Sequence, residues 1–238
     1  MSTDEHPVVL VTGATGPLGR VVVARFAADG ARLALVGRDR GRLAAQAAET
    51  GLAADAWLPV VGELTDAATA RAVAAAAEER FGRVDVLAHL VGGWAGGTPV
   101  VGLDPDEVRS MLDQHFWTTL HIAQAVVPGM VARGSGRVLA VTSSTVADPA
   151  RDQAGYAIAK AAQEMLLRSL AREVAGSGVT VNVVVVRAID VAHERETAPT
   201  SKNAANTTPE EIADVFAFLA SPAAVAVNGA RIPLNGRG

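Results

Sequence analysis

Tyr156 is the only tyrosine in this chain, and Lys160, four residues on, is one of only two lysines. Residues at i and i+4 share one face of a helix. Random placement of two lysines would put one there in about 1 case in 100. The chemistry suits the spacing. A phenol is too weak an acid to release its proton near neutrality, and an adjacent ammonium stabilises the phenolate and lowers its pKa. Tyr156 is therefore a candidate general acid/base and Lys160 its tuner. The alternative is a surface helix that carries both by accident.

Two patterns that could position such a pair alternate along the chain. Short β-branched or apolar runs predict buried strands at Val8–Val11, Leu33–Val36, Val84–Leu90, Arg137–Val141 and Val179–Val186. Between them, helical spacing predicts helices at Val21–Ala28, Leu43–Thr50, Ala67–Phe81, Glu107–Ala132, Tyr156–Ala175 and Glu210–Leu219. Continuous apolar strands alternating with helices imply a parallel sheet covered on both faces. The expectation is an α/β fold: a single Rossmann-type, doubly wound domain over residues 1–238 with about seven strands. Gly30, Gly51, Gly82, Gly136 and Gly178 punctuate the elements. Asp190–Thr208 is the one long irregular segment, of the kind that forms lids or binding loops.

The first strand runs into Thr12-Gly13-Ala14-Thr15-Gly16-Pro17-Leu18-Gly19, then into a helix over Arg20–Ala28. Glycines let the backbone turn tightly and approach a pyrophosphate, while the helix N-terminus offers free N–H groups. Pro17 suits a first helical turn, where a missing N–H costs nothing. The second strand ends in Val36-Gly37-Arg38-Asp39. Gly37 takes the place of the acid that holds a ribose 2′-OH in NAD sites, and Arg38 suits the 2′-phosphate of NADP. NADP(H) is favoured. NAD(H) stays open, because a one-residue slip would turn Asp39 toward the ribose.

Together these features resemble the short-chain dehydrogenase/reductase family over essentially the whole chain. The turn is similar to that family's Thr-Gly-x-x-x-Gly-x-Gly, with Pro17 at its middle glycine, and Tyr156 with Lys160 matches its Tyr-x-x-x-Lys. Ser143, thirteen residues before Tyr156, falls at the family's catalytic serine. Gly178-Val-Thr-Val-Asn182 and Asn235-Gly236 follow its phrasing too. The resemblance implies hydride transfer between a carbonyl and an alcohol on a small organic substrate. Ser143 would hydrogen-bond the substrate oxygen, Tyr156 would give or take its proton, and Lys160 would bind the nicotinamide ribose. It also implies cofactor contacts at Thr12, Gly13, Thr15, Gly16, Pro17, Leu18 and Gly19, and further on at Arg38, Glu63, Leu64, Gly92, Tyr156, Lys160 and Ile189. A homodimer or homotetramer is implied as well.

Three departures from that pattern stand out. His89-Leu90-Val91-Gly92 replaces Asn-Asn-Ala-Gly, so cofactor affinity is in question more than chemistry. His115 falls at the family's fourth catalytic residue, an asparagine that holds a water in a proton relay to the lysine. A histidine can also hold water and titrates near neutrality; the alternative is a packed helix residue. Val186-Arg187 replaces Pro-Gly, and Val191 a carboxamide-binding threonine. A rival reading follows, in which the fold performs elimination, isomerisation or cyclisation, or only binds a ligand. Trp94, in the Gly92–Gly97 loop, is expected to line the substrate pocket, Trp117 to be core or interface, and His121 and His193 to pack or face solvent.

Bulk properties narrow the field further. Of 238 residues, 50% are hydrophobic and 19% charged, which is a globular composition. The net charge of −4, with no basic stripe, argues against nucleic acid. With no cysteine, disulfides and thiolate chemistry are excluded, and no histidine/acid cluster has metal-ligand spacing. No apolar run approaches a membrane span, and Met1–His6 lacks a signal-peptide pattern. A soluble cytoplasmic protein is expected.

Overall fold

Apolar runs that bury on both sides come out as the inner strands of one sheet. The computed structural model describes residues 6–236; residues 1–5, which make up most of the polar chain start, and 237–238 lie outside it. Strands β1 (Val8–Thr12), β2 (Arg32–Gly37), β3 (Trp57–Val61), β4 (Val86–His89), β5 (Gly136–Ser143), β6 (Val179–Val186) and β7 (Arg231–Leu234) pair in parallel, in the order β3-β2-β1-β4-β5-β6-β7. Chain direction along the sheet reverses between β1 and β4. In such sheets a crevice opens beyond the strand C-termini at that point.

Helices α1 (Pro17–Ala28), α2 (Arg40–Glu49), α3 (Ala67–Phe81), α4 (Pro105–Leu112), α5 (Thr118–Arg133), α6 (Ala154–Glu173), the short α7 (Glu194–Thr197) and α8 (Pro209–Ala220) surround the sheet. Two apolar layers result. One places Val8, Leu10, Val138 and Val181 against Val73, Ile122, Val126 and Leu167. The other places Val9, Val11, Leu139 and Val184 against Val22, Phe26, Ile212 and Phe216. Among the described residues, no helix is long and apolar enough to cross a membrane.

Strands β3 and β7 are absent from the run of strands expected above, and both are edges of the sheet. Each contains a proline, Pro59 and Pro233, which reads as a strand breaker in sequence. Even-numbered residues of β3 face β2, since Leu33 N–H bonds Ala56 O and Gly62 N–H bonds Gly37 O. Pro59 therefore turns its nitrogen to the open side, where no ladder bond is lost. Pro233 does the same on β7, where Ala230 accepts from Val183.

The helix expected over Glu107–Ala132 is interrupted. Asp113–Trp117 forms a π-turn in which Thr118 N–H reaches Asp113 O, five residues back. Asp190–Thr208 is more ordered than an open loop. Arg195, buried within it, pairs with both carboxylate oxygens of Glu211 at 3.0 and 2.7 Å and donates to Asn206 O at 2.6 Å.

Candidate active site

Two neighbouring elements deliver the residue pair singled out by its rarity. Tyr156 lies in the first turn of α6 and Lys160 one turn later. Strand β5 ends at Ser143, which is 2% exposed. The Ser143 hydroxyl hydrogen-bonds Tyr156, and Ser143 Oγ is itself held by Thr145, whose backbone N–H donates at 3.2 Å and hydroxyl at 2.9 Å. Burial pushes the Tyr156 phenol above its ordinary value, and the Ser143 bond only partly offsets this. The lowering expected from Lys160 is thus not the net direction in the protein alone, because desolvation of the phenolate dominates. At neutral pH Tyr156 is a phenol, the form that gives up a proton.

Lys160 is buried, and burial brings its ammonium down to about 7. Its Nζ donates to Val141 O and to Gln163 Oε1, both at 2.9 Å. Neither partner is charged.

The π-turn places His115, 1% exposed, beside this pair. Its ring meets Tyr156 edge-on, with centroids 5.5 Å apart. Nε2 donates to Gly93 O at 2.9 Å, which leaves Nδ1 as a buried acceptor without a protein partner. Gly92 makes room for the ring, for a Cβ there would lie 2.4 Å from His115 Cε1. Burial, then the Lys160 charge, depresses the imidazole to about 3, and it is neutral.

His89 is also depressed to about 3, by burial, Lys160 and His115 in that order. Its hydrogen bonds fix the tautomer. Thr12 Oγ1, which also accepts from Leu90 N–H, donates to His89 Nδ1 at 2.8 Å, because the other ring nitrogen carries the proton. Thr118 donates to Gln114 O and so accepts from His89 Nε2–H at 3.4 Å. His89 thus bridges β1 and α5 as a satisfied core residue.

A cleft of about 750 Å³ runs from the β2 end to Gly92, Gln114 and Thr118, which flank His115; Ser143, Tyr156 and Lys160 are not among its lining residues. Gly13, Thr15 and Gly16 line it, as do Arg38, Glu63, Leu64 and Gly92. Of the other residues expected to touch a cofactor, Pro17, Leu18 and Gly19 begin α1 behind the turn, Thr12 is committed to His89, and Ile189 bridges to Thr207. The residues present fit a dinucleotide. Gly13, at φ +68°, would put a Cβ 2.9 Å from Leu90 O, and one at Gly19 would lie 2.2 Å from Gly13 O. Gly16 precedes helix α1 without a side-chain cap, so the N–H groups that follow Pro17 are open to a phosphate.

At the β2 end of the cleft, the Asp39 side chain is engaged locally. It caps α2, accepting from Arg42 N–H at 2.9 Å. A side chain at Gly37 would crowd Leu43, since a Cβ would lie 3.2 Å from its Cδ2. Arg42, which the sequence reading missed, joins Arg38 in lining the cleft and donates to Thr15 O at 3.3 Å.

Trp94 is 63% exposed, and its loop lies against the turn that leads into α6. Gly97 N–H donates to Asp152 O at 2.7 Å, and a Cβ at Gly96 would meet both Trp94 and Asp152 O. Trp117 is 42% exposed and stacks on His121, whose Nδ1 contacts Leu64 O at 3.0 Å. His193 pairs with Glu210 on the surface. Val191 is exposed, and Arg187 donates to Lys202 O. Among the described residues, no group of three His or acidic residues could hold a metal ion.

Residues 7–202 match the short chain dehydrogenase family. The chain is 30% identical to the 2,3-dihydroxy-2,3-dihydro-p-cumate dehydrogenase of Pseudomonas putida, over 98% of this chain and 94% of that protein. It is 31% identical to the 3-oxoacyl-(acyl-carrier-protein) reductase of Vibrio cholerae, over 98% and 97%. Among solved structures, levodione reductase superposes with a TM-score of 0.87 at 29% identity, over 97% of this chain and 96% of that one. The 3-ketoacyl-(acyl-carrier-protein) reductase of Brucella melitensis complexed with NADH gives 0.86 at 25% identity, over 98% of each.

Proposed function

Because the chain belongs to the short chain dehydrogenase family and is an oxidoreductase of that family acting on small organic molecules, we propose that it interconverts a secondary alcohol and a ketone with NADP(H). The convergence of Ser143, Tyr156 and Lys160 at the C-terminal end of β5 carries this reading. The relatives named for dihydrodiol and oxoacyl substrates support a small hydroxy or oxo compound. When bound, a nicotinamide dinucleotide supplies the hydride.

This chain's own groups handle the proton and the geometry. The Ser143 hydroxyl, positioned by Thr145, orients the substrate oxygen next to Tyr156 Oη. Tyr156 donates its phenolic proton to that oxygen during reduction and takes it back during oxidation. The Lys160 ammonium stabilises the resulting phenolate and holds a ribose hydroxyl with its remaining N–H. His115 walls Tyr156, its ring meeting the phenol edge-on and keeping that side closed to bulk water. Arg38 and Arg42 embrace a 2′-phosphate as charge-assisted donors, while Gly37 and the capped Asp39 leave a 2′-OH without its acidic partner.

Fluorescence titration with NADPH and NADH, followed by turnover of a ketone and diol panel, tests the proposal. NADPH is expected to bind about tenfold or more tightly than NADH, and Arg38→Ala with Arg42→Ala to erase most of the gap. Tyr156→Phe should bind NADPH like the parent and lose about 100-fold or more in kcat. Equal affinity for both nucleotides overturns the NADP(H) preference. A Tyr156→Phe variant retaining a tenth of the rate overturns the acid/base role.

A further inference from the structure

Lys160, Gln163, Thr119 and His115 form one continuous buried chain, none of them more than 7% exposed. Gln163 lies three residues after Lys160 on the same face of α6. Its Oε1 accepts from Lys160 Nζ at 2.9 Å, and its Nε2 donates to Thr119 Oγ1 at 3.0 Å. Thr119 in turn spends its own hydroxyl proton on His115 O, inside the π-turn. The ends of this chain allow only one amide orientation. An ammonium can only donate, and a hydroxyl already donating elsewhere must accept.

Leu167 and Ile122 close by belong to the apolar layer, so packing alone would take a leucine at 163 and a valine at 119. Burying an amide there is costly unless it is fully bonded, and removing one partner strands the other. The position that calls for it is Lys160. Val141 O and Gln163 Oε1 take two of its three N–H donors.

We propose that Gln163, braced by Thr119 against the His115 carbonyl, is a positioning residue that fixes the Lys160 ammonium and couples it to the turn holding His115 beside Tyr156. The inference rests on the reading that Lys160 serves the reaction, and it adds a residue that touches neither substrate nor cofactor. The titratable groups around Lys160 are His89 from β4, His115 from the π-turn, and Tyr156 and the buried Glu164, itself paired with Arg231, one turn before and after it on its own helix. Both imidazoles are neutral, so the amide and the Val141 carbonyl are the acceptors that stabilise the ammonium. Loss of the amide favours the neutral amine and frees its direction.

The test compares the parent with Gln163→Leu, Thr119→Val and the double variant. Gln163→Leu should stay folded, lose about tenfold or more in kcat with little change in substrate KM, and move the basic limb of the reduction profile to lower pH. A readout independent of turnover comes from labelling lysine side chains for NMR, since only Lys160 and Lys202 contribute signals. The Lys160 titration should fall by about half a unit or more in Gln163→Leu. Gln163→Glu, which restores an acceptor, should return it to the parent value or above.

The double variant strands neither the Gln163 amide nor the Thr119 hydroxyl, and it carries the same test should a single variant fail to fold. If Gln163→Leu or the double variant shows a parental kcat, pH profile and Lys160 titration, the proposal is wrong. Should the parent lack hydride transfer while the Lys160 titration still moves, only the redox reading falls and the positioning role stands.

Discussion

His89 and His115 are neutral imidazoles sealed against an ammonium, each depressed to about 3 from an ordinary value near 6.5. Between those limits the unfolded chain binds more protons than the folded one, so stability drops as pH falls from 6.5 toward 3. Each group contributes a slope of at most about 1.4 kcal/mol per pH unit. His89→Asn is expected to make urea stability between pH 6.5 and 4.5 less steep by about one proton's worth. A variant with the parent's slope would mean that His89 already carries its proton in the folded state. At this scale much could be read from the chain itself. Tyr156 and Lys160 declared themselves by rarity and spacing, and Gly37-Arg38 by their place after a strand. Gln163 and Thr119 could not, since their bond joins helices 44 residues apart. Asp39 was a missed opportunity, for an aspartate opening a helix is a familiar cap signal.

Helix α4, the π-turn and α5 were expected as one helix, and the difference matters because a single extra residue in the turn re-aims everything after it. Apolar spacing over 107–132 fits an unbroken helix nearly as well, so periodicity alone could not show the turn. What it achieves is the insertion of His115 between the Gly92–Gly93 backbone and the Tyr156 ring. Gly92→Ala should displace the imidazole and lower kcat about tenfold or more while leaving the fold intact. Gly102→Ala, where the nearest atom is 3.8 Å away, should change nothing and serves as the control. Equal rates for the two variants would argue that His115 has no part in arranging Tyr156. The inner strands were legible because both their faces are apolar; β3 and β7 were not, because half-exposed edges with a proline carry little pattern.

One sheet and its two apolar layers hold the whole site, yet the surface of α6 leaves Ile158 50% and Met165 58% exposed, seven residues apart and so on one helix face. Trp117 and Val131 add exposed apolar area on neighbouring elements. We expect these exposed apolar side chains to be covered by a second copy of the chain, and closed two-fold pairing is the commonest form of such assembly. Light scattering at micromolar concentration should show a dimer or tetramer, and Ile158→Glu with Met165→Glu a smaller species. A monomeric parent would sink the expectation. The prolines at the two ends of the sheet then acquire a second meaning. With Pro59 and Pro233 each withholding an outward N–H, neither border offers a full row of donors to a strand from another molecule. Copies of this chain that meet sideways would form a shared ribbon with a donor missing at each border. Crowding and partial heating should therefore yield discrete helix-paired assemblies instead of fibres.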